Sequence, residues 1–197
     1  MSSKNVIIKK ASNLFLKNGV KVTTMDDIAF YCAISKKTIY KYFETKETLV
    51  VECVLYLLES FSKEVADIEI SNNDPLERII LIYKKSFEYL KYFKPSFLDG
   101  LERHYPRAFD QFEKYKINLV TEIIYKLLND AKNSGFIKEG VNLELMCEIY
   151  YLRLYNVAFI NRNLFDEYAE EEILQYLIIN NLRGIVTVGY TNQFIEK

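Results

Sequence analysis

Residues 23–49 read "TTMDDIAFYCAISKKTIYKYFETKETL", and the fold is decided by where this stretch starts and stops its helices. Thr24 offers a side-chain oxygen to the first amides of a helix, and Asp27, three residues on, can reach back as the acid of a capping box. Ile28, Ala29 and Cys32 then share the inward face of a short helix. Ser35 supplies another N-cap three residues later, so that "SKKTIYKYF", Ser35 to Phe43, begins a further short helix. Two short helices joined by a turn of three or four residues make a helix-turn-helix.

The helix begun at Ser35 has two faces. At ~100° per residue, Ile39 and Phe43 point together toward a core. Lys37, Thr38, Lys41 and Tyr42 sweep the opposite arc, with Lys36 and Tyr40 at its margins. A solvated segment has no need of Ile39 and Phe43, and a core segment would not hold three unpaired lysines. A helix of this kind suits the major groove of DNA: its N-terminal residues reach base edges while lysines and tyrosine hydroxyls meet phosphates. Taken singly, the same lysines would equally suit a solvated surface, and Thr24, Ser35 and Thr45 are helix caps before they are phosphate ligands.

Upstream, "NVIIKKASNLFLKNG" spaces Ile7, Ala11, Leu14 and Phe15 by three and four, one apolar helical face that ends at Gly19. The charge supports a separate head. Residues 1–48 hold nine lysines against four acids, a net of +5, whereas the remainder holds 17 basic and 23 acidic residues, a net of −6. A positive head on a negative body points to an anionic partner for the head alone.

The stretch from Thr24 through Ile28-Ala29, Ile34-Ser35, Thr38, Tyr40 and Phe43 to Lys46 and Leu49 resembles the DNA-binding signature of the TetR (tetracycline-repressor) family of bacterial regulators. The resemblance implies an all-α fold of about nine helices, with a three-helix DNA-binding head at residues 1–48. A helical ligand-binding and dimerisation domain would follow at 49–197. It implies base-edge positions for Lys36, Lys37 and Thr38 and phosphate positions for Tyr40 and Tyr42. Thr24 would meet a phosphate at the start of the second helix and Lys46 one at the start of the fourth, with Lys41 on the same exposed arc. Two positions depart from the family pattern: Ala33 stands where Gly is usual in the turn, and Lys37 where Gly is frequent. A left-handed backbone at Ala33 would cost ~1 kcal/mol. Lys37 would change which bases are read.

Half of the 197 residues are apolar, with 16 Tyr and 13 Phe but only six Gly and three Pro to interrupt helices. Thr45 starts a long helix through "KETLVVECVLYLLESFSKEVADIE", and Asp74-Pro75 starts another with Glu77 placed to complete its cap. Pro95 and Pro106 bracket a short element, a helix runs to Gly135, and two apolar helices follow, one from Asn142 and a last one through "EEEILQYLIINNLRGIVTVGY", residues 170–190. Leu145, Ile149, Leu152, Val157 and Phe159 on the first of these, and Ile173, Leu177, Ile178, Leu182 and Ile185 on the second, occupy more than one side. Such helices must be covered on two faces, and a second copy across a two-fold axis is the expected cover, with Gly184 allowing close approach. A single large helical core is the alternative. A two-fold pair would place two recognition helices ~34 Å apart on a palindromic operator.

Tyr83, Phe87, Tyr92, Phe97, His104, Tyr105, Phe112 and Tyr155 are the candidates for a mainly apolar effector pocket. An aromatic stripe at helical spacing also suits plain core. Nothing in the sequence reads as a phosphate loop, nucleophile motif or metal cluster, and Cys32, Cys53 and Cys147 fit neither a disulfide framework nor a ligand spacing. No catalytic residue, metal or cofactor is expected. With no signal pattern and no spanning apolar run, the expectation is a cytoplasmic bacterial repressor, homodimeric and released from DNA by a small molecule. The rival reading is a helical adaptor without sequence-specific DNA binding; the basic head argues against it.

Overall fold

The computed structural model describes residues 3–71, 74–93, 95–159 and 164–195, the side chains at 71, 95 and 153–159 excepted. The described chain is all-α. The head contains α1 (Ser3–Asn18), α2 (Met25–Cys32) and α3 (Lys36–Tyr40), and α4 (Lys46–Ser71) leads out of it. Then come α5 (Pro75–Leu90), α6 (Pro95–His104), α7 (Pro106–Asn118), a π-helical turn at Leu119–Ile124 and α8 (Tyr125–Asn133). α9 (Leu143–Phe159) and a 3-10 turn at Leu164–Asp166 precede α10 (Glu170–Leu174), a second π-helical stretch at Gln175–Ile179, and α11 (Asn180–Ile185).

The caps explain most of these boundaries. The Asp27 amide donates to Thr24 Oγ1 at 3.1 Å and the Thr24 amide donates to Asp27 Oδ2 at 2.8 Å, a complete capping box. The Thr38 amide donates to Ser35 Oγ and the Thr48 amide to Thr45 Oγ1, each at 3.1 Å. At α5 the Leu76 and Glu77 amides both donate to Asp74 Oδ1, and Pro75 fills the first position, where no N–H is needed. Gly19 and Gly135 close α1 and α8 with φ of 89° and 75°, the left-handed region that a Cβ penalises.

The chain forms two compact units: Met1–Phe61 with Tyr92–Tyr115, and Ser62–Lys91 with Lys116–Lys197. The core of the first is built from Ile7, Ala11 and Phe15 of α1, Ile28 of α2, Ile39 of α3, Phe43, and Leu49 and Val50 of α4, all buried. Each of these side chains except Ala11 contributes ~1.5–3 kcal/mol by leaving water. α6 belongs to this unit, and its closeness to the head explains a glycine: a Cβ at Gly100 would lie 2.7 Å from Val20 Cγ2, so only Gly permits the approach. Tyr105, just past α6, stacks beneath Lys46 with the ammonium 5.5 Å from the ring centroid.

The second unit packs Ile79, Ile80, Tyr83 and Phe87 of α5 with Leu127 and Leu128 of α8, Cys147 and Tyr150 of α9, and Ile178 and Leu182 of the last helical run. Tyr190 donates to Asp74 Oδ2 at 2.5 Å, which ties the C-terminal segment to the N-cap of α5.

Three details differ from the sequence expectation. α3 closes at Tyr40, and Lys41 and Tyr42 continue as a turn in which the Phe43 amide still donates to the Ile39 carbonyl; that bond carries Phe43 to the core without further helix. Two helical runs carry π turns, which periodicity cannot show because they alter the count by a single residue. The last helix stops at Ile185 because Val186 is extended and pairs antiparallel with Ile137, while the Thr187 amide donates to the Phe136 carbonyl.

Candidate nucleic-acid interface

α3 is short, so its orientation depends on what holds it. Its inward anchors, Ile39 and Phe43, are 0% exposed. Behind them, Lys4 reaches across from α1 to pair with Glu52 at 2.8 Å, its ammonium 5.6 Å from the Phe43 ring centroid. The turn between α2 and α3 carries Ala33 at φ 56°, ψ 42°, the left-handed conformation. From there the Ala33 amide donates to the Phe30 carbonyl, and the Ile34 amide to the Ala29 carbonyl at 3.0 Å. Those bonds terminate α2 and aim Ser35 at the start of α3.

Held in this way, α3 and the turn after it expose Lys36, Lys37, Tyr40, Lys41 and Tyr42, with Thr38 half-buried. All six lie on α3 and the turn after it, with Thr24 exposed at the start of α2. They are not equivalent. Lys36 donates to Asp26 Oδ2 at 2.7 Å, an exposed bridge from α3 back to α2 that, with the Asp26 charge, raises the Lys36 pKa. Lys37 and Lys41 make no ion pair among the described residues. The Thr24 hydroxyl directs its single proton at Asp27 Oδ2, 2.7 Å away, so a phosphate here would have to take that proton in exchange.

Lys46 is half-buried at the start of α4, donating to the Val20 carbonyl at 2.5 Å and toward the Lys21 carbonyl at 3.4 Å. Its ammonium closes the α1–α2 turn. An ammonium has three donors, and these carbonyls leave one for an anion. Sequence reasoning missed this buttress of Lys46, Tyr105 and Gly100. The only signal was a glycine within an otherwise helical pattern, a common mark of close approach.

The candidate effector residues fall in separate clusters. Tyr83 and Phe87 are buried in the second unit, their rings 6.5 Å apart, with Tyr150 5.8 Å from Tyr83 and Phe165 5.3 Å from Phe87. Tyr92, Phe97, His104, Tyr105 and Phe112 belong to the first unit. There Phe93 lies 5.3 Å from Phe97 and 6.2 Å from Phe112, while Tyr92 and His104 are exposed. The side chain of Tyr155 lies outside the described residues.

Within the second unit, a groove of about 700 Å³ opens beside the first π turn. One wall is Ile117, Val120, Thr121 and Tyr125; the other is α9, through Glu144, Cys147, Glu148, Tyr151 and Leu152. Burial pushes the Cys147 thiol up to about 11, so it stays protonated at neutral pH. Sequence reasoning passed over this groove because its walls are not an aromatic stripe. The signal available was Glu144 and Glu148, four apart on a helix otherwise rich in apolar residues.

A capped helix pair, packed in a three-helix core and leaving cations and hydroxyls exposed, has the form of a helix-turn-helix head. Residues 7–53 match the model of the bacterial regulatory proteins of the tetR family. The HTH-type transcriptional regulator QacR of Staphylococcus aureus is 25% identical over 203 residues, spanning 100% of this chain and 91% of that protein. The HTH-type transcriptional repressor KstR2 of Mycobacterium tuberculosis is 30% identical over 91 residues, 46% of each chain. The solved structure of that ketosteroid regulator superposes with a TM-score of 0.65 at 20% identity, covering 94% of this chain and 96% of the other. The regulator FadR of Bacillus subtilis, solved in complex with stearoyl-CoA, gives a TM-score of 0.62 at 20% identity, covering 88% and 97%. Over residues 7–53 the chain carries the DNA-binding head of these regulators, and along its length it is similar to HTH-type transcriptional regulators.

Proposed function

We propose that the protein acts as a homodimeric repressor that binds a palindromic operator and is released by a small-molecule ligand. The observation that carries the reading is the anchoring of α3: Ile39 and Phe43 are fixed in the core while Lys37 and Lys41, unpaired among the described residues, face outward. Lys36, Lys37 and Thr38 read base edges, and Thr24, Tyr40, Lys41, Tyr42 and Lys46 meet phosphates. Lys37, unlike Lys36, has no carboxylate to leave before it can donate to a guanine edge.

Dimerisation through α9 and the α10–α11 run is supported by Leu145, Leu152 and Tyr176, each more than half exposed, and by Gly184, where an added Cβ would meet nothing within 4 Å. Among the described residues no helix is long and apolar enough to cross a membrane, and we place the protein in the bacterial cytoplasm with its DNA. The stearoyl-CoA bound by FadR and the ketosteroid role of KstR2 belong to those proteins. They support the existence of a ligand here, not its identity.

Selection from random duplexes at low salt, with the oligomeric state measured alongside, tests the reading. An enriched palindrome with half-sites ~10 bp apart is expected for a two-fold dimer. A dimer that enriches no motif leaves the adaptor reading in its place.

A further inference from the structure

We infer that Arg107, at the corner between α6 and α7, binds the DNA backbone beside the phosphate met by Lys46. This deepens the DNA-binding reading and rests on it. Placement comes first. The Lys46 ammonium donates to the Val20 carbonyl and lies 5.5 Å from the centroid of the Tyr105 ring. Two residues past Tyr105, the Arg107 Nε stands 3.9 Å from Oε1 of Glu47, the neighbour of Lys46 in the first turn of α4. The corner and that turn belong to one compact unit. Phosphates recur every ~3.4 Å of helix axis along a strand, so a strand that meets Lys46 offers further phosphates to Arg107.

Chemistry then singles out this side chain. Residues 1–61 contain lysines and no arginine, so the first unit draws its guanidinium groups from residues 92–115 alone, as Arg103 and Arg107. A guanidinium binds a phosphate through two parallel donors, which an ammonium cannot do. Arg103 is engaged by Asp99 at 2.7 Å, one turn back on its own helix. The Arg107 side chain is 83% exposed, and its separation from Glu47 is too long for a charge-assisted hydrogen bond, so its donors are open to an anion. Its position also works against the fold. Arg107 is the second residue of α7, in a first turn that holds no acid, where the helix dipole disfavours a cation. An exposed residue that breaks a local rule with no return in packing marks function rather than stability. In the free protein Glu47 is its nearest counter-charge, and in the complex a phosphate takes that place.

The test is the salt dependence of binding, read by fluorescence anisotropy with the full chain on the selected operator and on a random duplex. Arg107→Gln is expected to lower the slope of log affinity against log salt by about 0.9 for each chain bound, on both duplexes, with base preference and melting profile unchanged. Arg107→Lys should restore the slope, since a point charge still displaces a counterion, yet bind more weakly than wild type. The same drop should appear when Arg107→Gln is made in a Glu47→Gln background. A slope unchanged by Arg107→Gln overturns the inference, and so does a drop that vanishes in that background, which would make Arg107 only a screen for Glu47. Arg103→Gln also removes one exposed charge and should leave the slope as it was; a drop equal to that of Arg107→Gln would reflect net charge and overturn the inference too. The operator reading fails separately: a chain that enriches no motif, yet loses slope on the random duplex with Arg107→Gln, keeps this contact and removes the operator.

Discussion

The ammonium of Lys46 donates to the carbonyl oxygen of Val20 at 2.5 Å, joining the first turn of the long fourth helix to the turn that ends the first. One side chain thereby braces the head, and in the proposed complex it also meets a phosphate. Replacing Lys46 with Met, which keeps the stem and removes the charge, should weaken every duplex to a similar degree and lower the salt slope of binding by about one. It should also cost ~1 kcal/mol of stability through the lost hydrogen bond. Affinity measured from 50 to 300 mM salt, with urea unfolding alongside, separates the two effects. A stability loss with an unchanged salt slope would make Lys46 purely structural.

Ala33 holds a backbone conformation that glycine adopts freely. Ala33→Gly should stabilise the protein by about 0.5–1 kcal/mol, the relief of left-handed strain outweighing the extra freedom of the unfolded chain. The urea midpoint should rise with an unchanged slope. DNA affinity should hold, because the amide bonds that aim Ser35 do not involve the Ala33 side chain.

The head should carry its own acid sensitivity. The Thr24 amide, and then the Thr24 hydroxyl, hold the Asp27 carboxyl below its ordinary value of 3.8. A depressed folded pKa means that the native state takes up this proton less readily than the unfolded chain. Its contribution is therefore complete above 3.8 and is lost as pH falls through the lower folded value. Asp27→Ala should lower the melting temperature at pH 7, and the gap to wild type should shrink as pH drops below the carboxylate range. A gap independent of pH would assign the loss to helix propensity instead.

The Tyr83 hydroxyl is buried in the second unit with no hydrogen-bond partner among the described residues, and the residue is 2% exposed. Desolvation leads the causes that push its pKa well above 10, so it stays neutral. An unsatisfied buried hydroxyl costs ~1–3 kcal/mol, and Tyr83→Phe should raise stability by about 1 kcal/mol. A fall in thermal stability would show that the hydroxyl has a partner in solution.

The head was legible residue by residue because its boundaries are written in side chains. Thr24 with Asp27, Ser35, Thr45 and Gly19 each satisfy or end a helix through a local bond that spacing alone reveals. Ile39 and Phe43 followed from helical angle, and both are fully buried. What spacing could not show was which cations are already engaged. Lys36 and Lys37 are neighbours of identical chemistry, and only tertiary placement gives Asp26 to the first and leaves the second without an ion pair among the described residues. The effector candidates were less legible, since aromatic rings at helical spacing serve core and pocket alike. Phe97 and Tyr83 are buried, His104 and Tyr92 lie open to solvent, and the groove uses none of them.

Gly100 and Val20 belong to one compact unit although 80 positions separate them in the chain. Residues 92–115 therefore travel with the reading head as part of the same folded object. A chimera that swaps only the first 48 residues for those of a relative would set a foreign turn against α6, where a tenth of a nanometre decides whether the surfaces mate. An exchange of operator preference between such regulators needs two separated segments moved together, and the head is modular in space without being modular in sequence.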